Sequence, residues 1–480
     1  VKKWILGLCL FSSALAYSQE AGFTYSPVNK DLWNLVEETL PDKKNTEIYR
    51  FLDRKWGEFE PESLEATEIQ LAVARLLIRD KMSVLATEIL SQIIRTRAGT
   101  QASFLSLILL QQIMQEFPID LQALKQELIL DLDLDRPPRE IADMLAYFNT
   151  LEDRRLGFSA WAKKNQNSVS VGSFWDFNLR YNRALEEVQQ NKIDSAIERF
   201  ASLGANPQVP QYLKNKAVHQ YARLVFEKGD FEQAYRSFED VKLNPRDSGH
   251  LLLERAWSKY YLRDYSKSLG LLTALEAPIF DSSRSPEVYV LKMVIYKELC
   301  YYDAAFEVME EFKKRFSKSI ETIKKRGDLR KDQQLVNMAL ADYRLAEQVH
   351  YYNEVKSEKK RFLDSNLKNL EMMKGFSSRY DIRIAEVNNR LNFQLRDPIR
   401  KAANRLLEWQ EQMSFLDYQT RVDSLRISRP NNDFKAEKIS LTRFNQVYWL
   451  FMNEFWLDEL ENLKVLVESQ CGKIREVGPR

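Results

Sequence analysis

Four stretches of this 480-residue chain repeat one order of small and large side chains. The first carries Ala184, Ile193, Ala196, Phe200 and Leu203; the second carries Ala222, Gly229, Phe231, Ala234, Phe238 and Val241. Ala256, Tyr265, Ser268, Leu272 and Leu275 make the third, and Met293, Tyr302, Ala305, Met309 and Phe312 the fourth. The residue that opens the second half of each falls at Ile193, Phe231, Tyr265 and Tyr302, at spacings of 38, 34 and 37. A period of this length, with helical spacing inside it, restricts the chain to repeated pairs of antiparallel helices. Ala222 and Ala234 lie 12 apart, so after a turn their small side chains let two helices approach closely, and Phe231 and Phe238 fill the space beside them. Gly229-Asp230 supplies a helix stop and a polar start for the next helix. One pair buries too little apolar surface to stand alone, so the pairs must stack.

Composition agrees with an all-α chain. Glycine and proline number 14 each, about 3% apiece against the usual ~7% and ~5%. A β-sandwich, a propeller or a glycine-looped nucleotide fold needs more turn residues than that. Charged residues at 29% and hydrophobic residues at 44% exclude a disordered or membrane-embedded chain.

The repeat resembles the tetratricopeptide (TPR) family over Phe174 to Phe316. Arg180, Val218, Leu252 and Tyr289 stand where that family carries its tryptophan, leucine and glycine set. The resemblance implies a right-handed helical solenoid whose concave wall is lined by positions two, five, nine and twelve of each first helix. Those positions hold Asn178, Tyr181, Leu185 and Val188, then Lys216, His219, Arg223 and Phe226, then His250, Leu253, Trp257 and Tyr260. A basic second repeat beside an aromatic third implies an extended peptide partner with an acidic group and an apolar anchor. The lysine and asparagine set that grips a terminal carboxylate in chaperone-binding TPR domains is absent, because Tyr181 and Leu185 occupy its first two places. The plain alternative is that these side chains pack against the chain's own neighbouring helices.

Flanking segments extend the helical pattern. Within 19–170, Ala74, Ala86, Leu90 and Ile93 repeat the small-then-large spacing, so Glu65 to Arg97 reads as a degenerate repeat. Ala102 to Leu134 and Ile141 to Ala162 read as amphipathic helices, with breaks at Pro137-Pro138 and Asn165 to Gly172. The solenoid is expected over 171–316. Residues 317–430 carry two apolar stripes, Leu345-Val349-Tyr352 with Leu363-Leu367-Leu370, and Ile384 to Met413 bent or divided at Pro398. The charged gap Lys356 to Arg361 argues for a helical hairpin over an unbroken coiled coil. In 431–480, after a loop at Arg429 to Asn432, Ser440 to Val467 reads as a terminal helix. Its Tyr448, Trp449, Phe455 and Trp456 spread aromatic surface over several faces and must dock on the chain itself or on a partner. Glu454 to Leu460 resembles the ends of envelope TPR proteins that accompany gliding-motility machinery in some bacteria.

Residues 1–18 read as a bacterial signal peptide: basic Val1-Lys2-Lys3, an apolar run from Trp4 to Ala16, and small residues for cleavage after Ala16 or Ser18. The run is shorter than the ~20 residues a membrane span needs. Cys9 follows bulky Leu8 inside the run, unlike a lipid-attachment cysteine. Removing Lys2 and Lys3 takes the net charge of +2 to near zero, which disfavours nucleic acid as a partner. The expected location is the periplasm or the periplasmic face of the outer membrane, with membrane contact only through partners. Cys300 and Cys471 can pair in that compartment, but their separation implies no framework, and two isolated buried thiols are the expectation.

Chemistry-bearing motifs are scarce. Asp131-Leu132-Asp133-Leu134-Asp135 opens like a calcium loop, but Arg136 and Ala142 occupy its glycine and bidentate-glutamate positions. His219, His250 and His350 have no zinc-motif spacing, so no metal or other cofactor is expected. No nucleophile elbow, phosphate-binding glycine loop or His-Glu-x-x-His run occurs. The favoured class is a non-catalytic scaffold of an envelope or motility complex. The alternative is an envelope enzyme, or a regulator of a peptidoglycan-acting one.

Overall fold

The computed structural model describes residues 46–116, 137–242, 249–281, 284–340, 343–428, 463–471 and 475–476. The expected signal peptide, the Asp131–Asp135 run, and Tyr448, Trp449, Phe455 and Trp456 lie outside the described residues. The fold is all-α, with eighteen helices among the described residues and a single two-residue antiparallel ladder, β1 (Ile427–Ser428) with β2 (Arg475–Glu476). The helices begin with α1 (Thr46–Trp56), α2 (Leu64–Arg79), α3 (Ser83–Thr96), α4 (Gln101–Glu116), α5 (Arg139–Leu156) and α6 (Ser159–Ser168). Next come α7 (Phe174–Gln189), α8 (Ile193–Ala205), α9 (Gln211–Glu227), α10 (Phe231–Glu239), α11 (Gly249–Tyr261) and α12 (Tyr265–Ala274). The last six are α13 (Glu287–Glu298), α14 (Tyr302–Lys324), α15 (Gln333–Leu340), α16 (Tyr343–Asp364), α17 (Phe376–Gln394) and α18 (Arg396–Arg426).

One turn joins six of the helix pairs. Lys81, Gly157, Asn191, Gly229, Arg263 and Cys300 all take the left-handed conformation, with φ between 58° and 87°. At each, the amide of that residue bonds back three positions and the next amide bonds back five, as Gly229 does to Phe226 and Asp230 to Val225. This is the Schellman closure, which satisfies two of the carbonyls a helix end leaves open. The last four of these turns fall 38, 34 and 37 residues apart, which is the sequence period. Glycine occupies only two of the six positions, so the closure forms even where a left-handed backbone costs energy. Asp230 and Asp264 then cap the following helices by accepting from the amides of Gln233 and Lys267.

Seven residues before and five after each turn, the paired helices meet through small or slim side chains. The pairs are Ala74/Ala86, Thr150/Ala162, Ala184/Ala196, Ala222/Ala234, Ala256/Ser268 and Met293/Ala305, and none exposes more than 3% of its surface. At the third repeat the contact is also polar, since Ser268 Oγ donates to the Ala256 carbonyl at 2.8 Å. Enlarging such a site must push two helices apart. Ala222→Leu is expected to cost about 1–3 kcal/mol, read from the denaturant midpoint; an unchanged midpoint would contradict the close approach.

The described residues fall into two compact units. The first comprises α1 to α6, α7 as far as Arg183, the short stretch Pro207–Tyr212 and, from much later in the chain, Glu347–Asn392. Consecutive helices α1 to α6 pack in order. The late segment is fixed to α1–α3 by directed polar contacts. Asp53 accepts from the amides of Glu371 and Met372 at 3.1 and 2.9 Å, and Arg383 pairs with Glu88 at 2.6 Å. Glu358, fully buried, accepts from the amides of Val84 and Leu85 at 2.9 and 2.8 Å and from Tyr380 Oη at 2.7 Å. It thereby caps α3 from a helix more than 270 residues away. The charged gap Lys356–Arg361 does not break α16; the helix runs through it, with Glu358 turned into the core between Val355 and Phe362.

The second unit holds Ala184–Asn206, Leu213–Ala346 and the chain from Phe393. Helices α10 to α14 pack consecutively, and α18 lies on α13, α14 and α15. Pro398 falls in the first turn of α18, where no amide donor is needed. Lys292 on α13 is buried and touches Glu276; desolvation outweighs the pull of the Glu311 charge and brings it down to about 8 from 10.5. Between those values the unfolded chain holds more protons than the folded one, so stability should rise as pH goes from about 8 to 10.5. Thermal melts across that range should show the rise, and Lys292→Met should remove it while stabilising the protein at pH 7 by about 1–3 kcal/mol.

Two expectations for the C-terminus are corrected. The helix expected to reach Val467 does not do so, because Leu463–Gln470 are not helical and run against other helices and turns of the second unit. Val465 N donates to the Ser266 carbonyl and Gln470 N to the Leu299 carbonyl, each at 3.0 Å, while Gln470 Nε2 donates to Tyr301 Oη at 2.9 Å. Those backbone donors find partners on neighbouring helices and turns, so the segment needs no helix of its own. The second correction concerns the cysteines: Cys300 and Cys471 form a disulfide. Cys300 sits in the α13–α14 turn, and the docked tail brings Cys471 to it across 171 residues, a proximity that spacing does not encode.

Candidate functional site

The residues expected on the concave wall sit on first helices. Lys216, His219, Arg223 and Phe226 lie on α9, and His250, Leu253, Trp257 and Tyr260 on α11, all within the second unit. Tyr181, half-buried on α7, belongs to the first unit. Leu253 is buried, with 8% of its surface exposed. Lys216 is exposed, and both it and Tyr181 make contacts of their own.

The polar ends of these side chains are tied to carboxylates on the next first helix. His219 Nε2 and Arg223 Nε meet the two oxygens of Glu254 at 2.5 and 2.6 Å. Trp257 Nε1 donates to Glu287 at 2.7 Å. Tyr260 and Tyr265 donate to the two oxygens of Glu298, each at 2.6 Å. The basic pair thus already has an acidic partner, supplied by the chain itself.

Local electrostatics follow from this pairing. Burial alone would raise the Glu254 carboxyl, but the His219 hydrogen bond and the charges of His219, Arg223 and His250 together hold it below the ordinary glutamate range. The His250 ring lies 5.2 Å from that of His219; desolvation there lowers its pKa against the pull of Glu254, although its outer edge stays open to solvent. Glu287 is shifted the other way. Desolvation raises it, because the Trp257 indole and the charge of Arg405 compensate only in part. Tyr260 and Tyr265 are pushed up by desolvation and by Glu298, so both remain neutral donors at physiological pH.

Around the polar ladder the rings form a continuous aromatic cluster. Phe231 and Tyr261 stack at 4.5 Å, and Phe226 meets both edge-on at 5.2 and 5.6 Å. Tyr260 lies 5.6 Å from Trp257, 5.3 Å from Tyr261 and 6.0 Å from Tyr265. Tyr261 is 49% exposed and its neighbour Leu262 36%. Sequence reasoning missed Glu254, Glu287, Glu298 and Tyr261. A signal for Glu287 was present: the register Lys216, His250 reaches Glu287 at the same position of the fourth repeat. Glu298 carried no such signal, because it lies at the helix end, where the turn and not the helical face sets its direction.

Among the described residues no group of three His, Cys, Asp or Glu is placed to hold a metal ion, and no helix is long and apolar enough to cross a membrane. Comparison with protein-family models and with curated protein sequences returns no match.

Proposed function

We propose that this chain is a non-catalytic scaffold of the bacterial cell envelope. Its helix pairs stack as a TPR-like solenoid, and a partner peptide or protein docks along the first helices of the second unit. The observation that carries this reading is the recurrence of one turn, flanked by one pair of buried small or slim side chains, in six helix pairs, the last five turns at intervals of 34 to 38 residues. Exposed apolar surface at Tyr261 and Leu262 supports a docking role for that face. The Cys300–Cys471 pair supports an oxidising compartment, in keeping with export.

The test is affinity capture from the producing cell's envelope with the disulfide-intact chain, comparing wild type with Trp257→Ala and Tyr261→Ala. Loss of the same partners from both variants, with melting curves unchanged, is the expected result. Retention of every partner by both would remove this face from the proposal.

A further inference from the structure

We infer that the aromatic face formed by Trp257, Tyr260, Tyr261 and Tyr265 receives a cationic side chain, lysine or arginine, from an extended partner segment. This rests on the docking reading above and reverses the polarity that the basic residues of α9 had implied. The reversal comes from who pairs with whom. Arg223 and His219 both hold the same Glu254 carboxylate, and Lys216 is engaged within the chain. Glu287 and Glu298, in contrast, receive only neutral donors: one indole N–H and two phenol O–H groups. Neither forms an ion pair among the described residues; the charges of Arg405 and Glu254 both act on Glu287, in opposite directions, and Arg263 acts on Tyr265.

Ring chemistry points the same way. An aromatic face carries partial negative charge and attracts ammonium and guanidinium groups. A phenol that donates to a carboxylate gains electron density, so the Tyr260 and Tyr265 rings are better cation receivers than free tyrosines. The chain already uses this contact internally, with Lys259 over the Tyr235 ring at 4.0 Å and Arg421 over Phe306 at 5.0 Å. An acidic group placed here would meet two carboxylates that no cation pairs among the described residues, which selects against it. Exposed Tyr261 and Leu262 add apolar surface beside the charge site, so the fitting segment carries a basic residue next to an aliphatic or aromatic one.

The experiment pans a display library of random dodecapeptides against the disulfide-intact full chain and against Glu287→Gln/Glu298→Gln and Tyr261→Ala variants of matched melting temperature. Lysine and arginine beside apolar residues should be enriched on wild type and not on the double variant, and Tyr261→Ala should lower recovery. The leading peptide, resynthesised with its basic residue replaced by norleucine, should bind about tenfold more weakly to wild type and equally to the double variant. Enrichment of aspartate and glutamate instead would overturn the cation assignment while leaving docking at this face intact. Recovery of no peptides, or of peptides indifferent to all three substitutions, would overturn the assignment and the docking reading together.

Discussion

Glu358→Ala should destabilise the first unit by about 3 kcal/mol, among the largest losses available from a single side chain. Three buried donors depend on this carboxylate: the amides of Val84 and Leu85 and the Tyr380 hydroxyl. Each orphaned donor costs roughly 1–3 kcal/mol, which outweighs the relief of no longer burying a carboxylate. Hydrogen exchange at Val84 and Leu85, with chemical denaturation of the whole chain, reads the effect; unchanged protection of both amides would refute the capping role. The linkage has a definite sign. Desolvation raises the Glu358 carboxyl above its ordinary range despite those three donors. The folded state therefore holds the proton longer, and the first unit loses stability as pH rises from about 4.5 through the raised value. Glu358→Gln keeps one acceptor oxygen and should flatten that dependence, with a smaller loss than alanine.

The second large effect concerns the tail. Gly270 lies inside α12, where alanine would ordinarily stabilise a helix by about 1 kcal/mol. Here a Cβ would collide with the Leu463 carbonyl oxygen, and main chain cannot yield as a flexible side chain does. Gly270→Ala should therefore displace Leu463–Val465 and abolish exchange protection of the Val465 amide, while the disulfide still holds Cys471. Adding Cys300→Ser should release the segment entirely, at a further cost of about 2–5 kcal/mol, and expose it to protease. A Gly270→Ala protein that is simply more stable, with Val465 still protected, would show that the tail does not run there.

The local architecture was legible because it is made of short-range constraints. Ala222 and Ala234, and Ala74 and Ala86, mark helix contacts that close within one hairpin, and both pairs are fully buried. Gly229-Asp230 marks its turn openly, whereas Arg263 and Cys300 form the same closure with residues that do not announce it. The charged gap at Lys356–Arg361 looked like an interruption, since an inward-facing glutamate cannot be told from a solvated one until its donors are known. The polarity of the proposed docking face was lost for the same reason. His219 and Arg223 read as free basic groups because Glu254, which pairs with both, lies 35 and 31 residues away.

By itself, the sequence determined that this chain is helical, that its helices pair through small residues, and where most of those pairs turn. Each of these follows from contacts within about 15 residues, where periodicity and capping chemistry act. Only the tertiary structure decided that Glu347–Asn392 joins the N-terminal helices, that Cys471 reaches Cys300, and that His219 and Arg223 share the Glu254 carboxylate. Those outcomes depend on groups brought together across tens to hundreds of residues. There a hydrogen bond or ion pair is set by where the backbone ends up, and the spacing of residue types carries no record of it.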